Sequence, residues 1–200
     1  MKTMVPYVSA CVFSLLLAAG CGKKVTRIDP NATVDLSGKW NDTDSRLVAE
    51  EMIADCLSRP WYTSTYAHKD PVPTIIVGDI RNKSHEHINV ETFVKDLERT
   101  LINSGKVEFV ANRREREQIR IEKEDQAEHA SDQTVKESGQ EAGADLMLIG
   151  SINTIADQEG NKKVMYYQVD LELIEIESHK KLWIGDKKIK KYITRSKARF

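Results

Sequence analysis

Three short apolar runs, separated by helical patterns, constrain the fold of this chain more than any other feature. The runs occupy residues 74–80, 107–110 and 146–149. Continuous apolar runs of this length are typical of strands buried on both faces of a parallel sheet. Val90–Asn103 carries one apolar stripe and Gly105 follows it, which predicts a helix between the first two strands. Because a strand–helix–strand unit places its strands side by side, we predict a sheet that begins parallel.

The C-terminal part of the sequence has the alternation of a strand with one exposed face. Residues 164–176 follow a Glu-Gly-Asn turn signal at 159–161, and a last strand is predicted at 182–193. Along 164–176 the two faces carry Val169, Leu171 and Leu173 on one side and Asp170 and Glu172 on the other. Long strands joined by short turns pair antiparallel. We therefore predict one α/β domain with a mixed, initially parallel sheet flanked by helices, in two or three layers.

Three further helices are predicted around this sheet. Helix-capping residues from Asn41 to Asp44 precede an apolar pattern at 46–58, which indicates the first helix. Residues 113–128 form a highly charged helix, and 131–141 a last one. The predicted loops are residues 60–73, which Tyr62 and Tyr66 are expected to pack down, and residues 82–89.

Residues 1–20 have the pattern of a signal peptide. Lys2 precedes an uncharged apolar run at 5–19, which is shorter than the roughly 20 residues that a membrane-spanning helix needs. The run ends Leu17-Ala18-Ala19-Gly20-Cys21, which resembles a bacterial lipobox. We expect cleavage before Cys21 and lipid attachment to its thiol. An ordinary secretory signal that happens to end in cysteine is the alternative.

A lipid on Cys21 implies anchoring in a membrane, since each buried methylene contributes about 0.8 kcal/mol and several chains hold stably. Gly22 stands where an aspartate would retain the protein in the inner membrane, which favours the outer membrane with the domain facing the periplasm. Residues 21–39 are polar and are interpreted as the lipidated N-terminus and flexible tether. The globular domain is predicted at 40–200.

The charge of the chain excludes one class of partner. Its 30 Lys and Arg residues nearly balance 31 Asp and Glu residues, and neither this balance nor export favours nucleic acid. The C-terminal segment is different, because only Asp186 opposes its cations. These are Lys180, Lys181, Lys187, Lys188, Lys190, Lys191, Arg195, Lys197 and Arg199. Such lysines either prevent edge-to-edge strand association or attract anionic phospholipid, lipopolysaccharide or glycan phosphate.

No set of residues predicts catalysis or metal binding. His85 and His87 would share one face of a strand and supply only two ligands, so a solvated loop is the expected state of this segment. Asp79 follows a predicted strand but has no apparent base or nucleophile, and is expected to cap a turn or a helix. Cys56, at helical spacing among apolar residues, is predicted to be a small buried hydrophobe. We expect no enzyme activity, no cofactor, no metal and no small-molecule substrate.

The charged segment 113–128 has five basic and six acidic side chains. Pairs three or four residues apart on a helix neutralise each other, which explains the composition without a partner. A helix this polar also leaves a wide face for a protein. The candidate partner-binding residues are Arg113, Arg114, Arg116 and Arg120.

Three segments together resemble a known family. They are LSGKWNDTDS at 36–45, IIVGDIRN at 75–82 and GQEAGADLMLIG at 139–150. In this order behind a lipobox they resemble the LpoB-type penicillin-binding protein activators. The resemblance implies a fold like the N-terminal domain of TolB. It also implies an outer-membrane lipoprotein that docks on a bifunctional peptidoglycan synthase and stimulates it without catalytic residues of its own.

The tether departs from that family pattern. The best-known members carry a long Pro-rich tether, whereas residues 22–39 here are 18 residues with a single proline. Fully extended, such a segment reaches roughly 60 Å. A structural or secretion accessory role, of the type of the curli-assembly lipoproteins, is the alternative function. Lys187, Lys188, Lys190 and Lys191 argue against it because lysines are costly on a lipid-facing strand.

Overall fold

Five strands form one sheet in the computed structural model, which describes residues 23–130, 136 and 141–194. They are β1 (Thr74–Asn82), β2 (Glu108–Phe109), β3 (Leu146–Glu159), β4 (Lys162–Glu175) and β5 (Lys181–Thr194). Their order across the sheet is β2-β1-β3-β4-β5. β1 pairs in parallel with β2 and β3, whereas β4 is antiparallel to both β3 and β5. The mixed, initially parallel sheet expected from the sequence is confirmed.

Three α-helices accompany the sheet: α1 (Asp42–Ser58), α2 (Val90–Asn103) and α3 (Arg113–His129). Helix α1 begins before the predicted residue 46 because Asn41 caps it. The Asn41 side chain accepts a hydrogen bond from the Asp44 N–H, and the Asp44 carboxylate accepts one from the Asn41 N–H, at 3.1 and 3.0 Å. This reciprocal pair is a capping box, which fixes the first turn of α1.

Helices α1 and α2 cover one face of the sheet and enclose its core with it. Phe93 and Leu97 of α2 have no exposed surface, and Val48 of α1 has none either. The predicted inward residues of β4 are buried, which confirms that alternation. The largest fully buried side chains are Tyr167, Phe93, Ile53, Ile75, Leu97, Leu101, Leu146, Leu148, Ile152, Leu171, Leu173 and Val48.

The opposite face of the sheet, called here the open face, carries the alternate side chains of β1, β3, β4 and β5. Met147, Ile149 and Ile174 on it are only partly buried. Helix α3 has no buried residue. The described part of the chain therefore has two layers, with the core between the sheet and the first two helices.

The structure differs from the sequence predictions in three places. β3 runs to Glu159, well beyond the predicted residue 149, because it continues as a hairpin with β4 beyond the apolar core. The predicted loop after α1 contains a π-helical turn at Trp61–Tyr66, and both of its tyrosines are buried as expected. The predicted helix 131–141 lies outside the described residues except for positions 136 and 141, as do the signal peptide and Cys21.

A β-bulge interrupts the pairing of β1 with β3. Val77 is opposite Leu148 and Ile80 is opposite Gly150, so two residues of β1 face one residue of β3. The extra residue lies at Gly78 or Asp79. Asp79 is exposed within the strand, which corrects the expectation of a turn or helix-capping carboxylate.

The compact unit that contains the sheet spans Thr33–Phe200 and so begins before residue 40, where the sequence places the domain boundary. Residues preceding α1 belong to this unit, and the contacts that hold them are described below. Among the described residues, no helix has both the length and the apolar character needed to cross a bilayer.

Candidate partner-binding surfaces

Lys191 fastens the segment that precedes α1 to the sheet. Its ammonium group lies 2.8 Å from an Asp35 carboxylate oxygen and 2.7 Å from one of Asp44, and it donates to the Lys39 carbonyl at 3.1 Å. Only 10% of the Lys191 side chain is exposed. Burial lowers the pKa of Lys191, but the hydrogen bonds to Asp35 and Asp44 outweigh it and the pKa is raised. The cation therefore stays charged inside this contact, called here the Lys191 clamp.

Tyr167 forms a second attachment beside the clamp. Its hydroxyl donates to a Glu86 carboxylate oxygen at 2.8 Å and lies 3.2 Å from the Gly38 carbonyl oxygen. The same Glu86 oxygen accepts the backbone N–H of Trp40 at 3.2 Å. Burial, and then the hydrogen bond to Glu86, raise the pKa of Tyr167. The Trp40 ring packs on Tyr167 with ring centroids 5.7 Å apart, so the last residues of the predicted tether are part of the domain.

Gly38 is required for this attachment. Its φ of +69° lies in the left-handed region that favours glycine. A Cβ at this position would also lie 2.4 Å from the side chain of Ile193 on β5. A side chain here would therefore have to displace Ile193 and adopt a strained backbone conformation.

The segment His85-Glu86-His87 differs from the expected solvated loop. Both histidines are exposed, but Glu86 is partly buried and accepts two hydrogen bonds from the contacts above. Among the described residues, no group of three or more His, Cys, Asp or Glu side chains is arranged to hold a metal ion. The central residue of this motif, Glu86, has a structural role, because its carboxylate accepts hydrogen bonds from Trp40 and Tyr167.

Cys56 is buried in α1, as predicted. Burial raises the pKa of its thiol to about 12, so the reactive thiolate is absent at neutral pH. Its carbonyl oxygen accepts a hydrogen bond of 2.8 Å from the Trp61 indole. Cys56 therefore packs the core and ties the π-helical turn to α1.

The four arginines proposed for partner binding lie along α3, and the structure gives them different surroundings. Arg113 and Arg114 are exposed in the first turn and form no ion pair with the described residues. Arg116 is partly buried. Arg120 is engaged by Glu141, at 2.6 and 2.9 Å, and by Glu117 at 3.1 Å.

The four candidate arginines therefore differ in exposure and in their acidic partners. Hydrogen bonds to Glu141, then to Glu117, raise the pKa of Arg120. The N-terminus of α3 is itself fixed by a capping box between Asn112 and Glu115. Arg113 and Arg114 are consequently the two exposed members of the set that form no ion pair with the described residues.

A shallow cavity of about 570 Å³ lies on the open face beside the β1 bulge. Gly78, Asp79 and Ser151 line it, and a Cβ on Gly78 would come within 2.9 Å of Ile149. The middle of this face is a polar network in which Asn153 donates to Asp170 at 3.0 Å. The open face therefore combines partly buried apolar side chains with a polar network.

Comparison with known families gives a direct assignment. The model of the family described as peptidoglycan-synthase activator LpoB matches residues 44–189. This chain belongs to the LpoB family. The resemblance seen in the sequence is thereby confirmed. The matched range extends from the first turn of α1 to the middle of β5, so it includes the core and the open face.

Solved structures of LpoB proteins are similar to this chain at low identity. The LpoB C-terminal domain from Salmonella enterica is 16% identical, with a TM-score of 0.45, over 73% of this chain and 98% of that one. The corresponding domain from Escherichia coli is 17% identical, with a TM-score of 0.44, over the same shares of the two chains. The NMR structure of E. coli LpoB is 14% identical, with a TM-score of 0.41, over 98% of this chain and 87% of that one. No curated protein matches the sequence.

The sequence did not single out the residues of the clamp. Lys191 stood among many lysines and Glu86 between two more conspicuous histidines. Their partners are distant in sequence: Lys191 lies 147 positions from Asp44, and Tyr167 lies 129 positions from Gly38. The one available signal was the Gly38-Lys39-Trp40 segment, which the family resemblance included.

Proposed function

We propose that this chain is an outer-membrane lipoprotein whose domain binds and activates a bifunctional peptidoglycan synthase, a penicillin-binding protein, and is not itself an enzyme. The family match over residues 44–189 carries this proposal, because the family is named for activating a peptidoglycan synthase. The membrane anchor is the lipid on Cys21, supported by the lipobox pattern. The domain needs no cofactor or small-molecule substrate for this role.

The cavity on the open face contains carboxylates and a hydroxyl group. It brings Asp79, Ser151 and Asp170 together but has no histidine in its lining. The Ser151 hydroxyl accepts a hydrogen bond from Asn153 at 3.2 Å. The described lining of this cavity therefore lacks the Ser–His pair of a serine hydrolase.

The proposed docking element is the first turn of α3. Helix α3 is polar and has no buried residue, so substitutions on it remove no core contact and its exposed face is accessible to a partner. Arg113 and Arg114 provide two guanidinium groups without an ion pair in the described structure, and guanidinium groups bind carboxylates bidentately. We expect an acidic surface on the synthase to receive them.

The proposal is tested by a pull-down from envelope extract with residues 33–200, followed by a synthase assay with the purified partner. We expect recovery of a penicillin-binding protein and an increased rate of glycan polymerisation or cross-linking. Absence of both results would refute the proposal. A ring of defined stoichiometry extracted by detergent would instead favour a secretion accessory of the curli-assembly type.

A charge-reversal pair locates the docking element in the same assay. We expect Arg113→Glu with Arg114→Glu to weaken synthase binding by about tenfold or more, since two charge-assisted contacts become repulsive. The matched control is Lys162→Glu with Lys163→Glu, which changes the net charge equally at the β3–β4 hairpin. Equal loss in both variants would show that total charge, and not α3, decides binding.

The tether gives an independent test in cells. Deleting residues 23–32 leaves the compact unit that begins at Thr33 intact and removes roughly 33 Å of extended reach. We expect unchanged folding and unchanged binding of the purified protein, but loss of activity in cells. A deletion variant that localises and grows like wild type would show that reach across the periplasm is not limiting.

A further inference from the structure

Strand β5 forms one edge of the sheet, and its outer side is unpaired. It is the last strand in the order β2-β1-β3-β4-β5 and contains 14 residues. Within the described part of the chain, no backbone hydrogen bond joins its outer side to another segment. Because alternate residues of a strand bond to the neighbour on either side, about half of these residues direct N–H and C=O groups outward. The groups that complement them are those of another extended chain.

The two edges of the sheet differ in what they offer to such a chain. β2, at the opposite edge, consists of only two residues. A long edge is commonly protected by prolines or by bulges. β5 contains no proline, and its irregular pairing with β4 affects only the beginning of the strand, before Trp183. β5 is therefore the edge to which a strand can be added.

A groove follows this edge between α1 and β5. At one end is a cavity of about 470 Å³ that is lined by Leu47 and Val48 of α1 and Ile189 of β5. At the other end is a cavity of about 280 Å³ that is lined by Met52 of α1 and Trp183 of β5. The described linings include no residue of β4, which places both cavities at the outer side of the sheet. Apolar surface therefore lies beside unpaired backbone, the combination that binds extended peptides at sheet edges.

An ion pair divides the groove into two sites. Glu51 of α1 and Lys187 of β5 line both cavities and bind each other. Ile189 lies on one side of this pair and Gly185 on the other, where a Cβ would lie 2.1 Å from the ring of Trp183. Four residues separate Ile189 from Gly185, a distance of about 13 Å along a strand. Residues i and i+4 of an added strand share a face and therefore reach the two cavities.

Only one charged side chain of β5 lacks an oppositely charged partner among the described residues. The paired ones form Lys181–Glu172, Lys187–Glu51, Lys188–Asp186 and Lys191–Asp44. Lys190 is exposed on the open face and lies opposite Tyr166, and its diagonal neighbours on β4 are Val164 and Gln168. No carboxylate of β4 is therefore beside it. A strand added to β5 places a side chain next to Lys190, where an acidic residue is favoured.

The lysines of β5 disfavour a second copy of this chain at the same edge. If two β5 strands paired antiparallel about Ile189, Lys187 would lie opposite Lys191, and Lys188 opposite Lys190. Like charges directly opposite each other are destabilising, and lysines on an edge strand prevent association in this way. The same side chains admit a strand of different sequence that presents an acidic residue.

We propose that β5 binds an extended segment of another protein, which adds to the sheet as an antiparallel strand. Its backbone pairs with the outer side of β5. Its apolar side chains opposite Ile189 and Gly185 enter the two cavities, a small or hydroxyl side chain lies between them, and an acidic side chain lies opposite Lys190. The interface is short, so the binding is reversible. It does not include α3 and does not rest on the proposed docking to a synthase.

Binding is tested with residues 21–200 carrying Cys21→Ser and a fluorescent synthetic peptide of about nine residues. The peptide has glutamate at the position opposite Lys190, leucine at the two positions that face the cavities, and threonine elsewhere. In a reference peptide both leucines are moved by one position, which turns them to the open face. We expect fluorescence anisotropy to show saturable binding of the first peptide, about tenfold tighter or more than that of the reference.

Two matched pairs of substitutions locate the site on the protein. Lys190→Glu should weaken binding about tenfold, and a peptide with lysine in place of glutamate should restore it. Lys83→Glu, the same change at an exposed lysine that follows β1, should have no effect. Leu47→Gln should weaken binding about fivefold because it removes apolar surface from one cavity. Ile102→Gln, at an exposed isoleucine of α2, is its control and should bind like the parent.

Amide hydrogen exchange distinguishes strand addition from contact of side chains alone. We expect the saturating peptide to slow exchange about tenfold or more at alternate residues from Trp183 to Lys190, and to leave β1 unchanged. Absence of binding, unchanged exchange in β5, equal affinity of the reference peptide, or equal losses in variants and controls would each overturn the proposal.

A second copy of the chain is the remaining occupant that the same measurement can identify. Protection of the outward amides of β5 that rises with protein concentration, without peptide, would show self-association and would also overturn the proposal. None of these results depends on synthase binding, so this proposal and the proposed function fail separately.

Discussion

Replacing Lys191 by methionine tests the attachment of the N-terminal segment most directly. Methionine keeps the length and apolar stem of the side chain but removes its charge. The substitution breaks ion pairs to Asp35 and Asp44 and the hydrogen bond to the Lys39 carbonyl. Asp44, whose side chain is only 10% exposed, then remains as a carboxylate without its cation.

The expected loss of stability is about 2–3 kcal/mol. Removing one partner of a fully buried pair costs about 3–5 kcal/mol. The lower figure applies here because the Asp35 side chain is 39% exposed and Asp44 keeps the hydrogen bond from the Asn41 N–H. For a domain of this size the loss corresponds to a decrease of roughly 4–12 °C in Tm.

The neighbouring residue provides the control. Lys190 lies on the open face of the same strand and forms no ion pair in the described structure, so Lys190→Met should change the free energy of unfolding by less than about 0.5 kcal/mol. Urea denaturation followed by tryptophan fluorescence measures both variants, and trypsin cleavage at Lys39 reports release of the segment. If Lys191→Met is no less stable than Lys190→Met, the clamp does not hold the segment and the reasoning is wrong.

Three further predictions concern the attached segment and the sheet. Tyr167→Phe should destabilise by about 1–2 kcal/mol, measured by urea denaturation, because the hydroxyl bond to Glu86 is lost. Stability should fall as the pH rises above about 10, because folding raises the pKa values of both Tyr167 and Lys191. Above that pH the folded state still holds protons that the unfolded state releases. Tyr167→Phe should therefore weaken the decrease in Tm with rising pH, measured in thermal melts between pH 8 and about 11. Gly150→Ala should destabilise by more than about 2 kcal/mol in thermal melts, because its Cβ would lie 2.3 Å from the Asp170 carbonyl oxygen, and a normal Tm would contradict that packing.

The sheet was largely predictable because its signals are local. A continuous apolar run marks a buried strand and alternation marks a half-exposed one, so β1, the start of β3 and most of β4 and β5 follow from spacing alone. The end of β3 was missed because residues 153–159 lie beyond the core, where no buried face imposes an apolar pattern. Pairing with β4 through backbone hydrogen bonds keeps that segment extended, and such pairing is independent of side-chain type.

The family and the candidate arginines were also accessible to sequence reasoning. The segments that match the family are short and contiguous, and the charged residues of α3 can be read directly from the sequence. The sequence did not show which arginines have acidic partners. Glu141, which pairs with Arg120, lies outside the helix and 21 positions away in the sequence. Only folding separates Arg120, which has acidic partners, from Arg113 and Arg114, which have none among the described residues.

The sequence by itself determined the kinds of elements, their order, the mixed sheet and the pattern of a lipoprotein signal. The tertiary structure decided where the domain begins, since Lys191, Tyr167 and Glu86 attach a polar segment that has no apolar pattern of its own. It also decided which lysines of β5 have acidic partners. Hydrophobic periodicity is a property of neighbouring residues, whereas ion pairing depends on distances between residues that only the folded chain brings together.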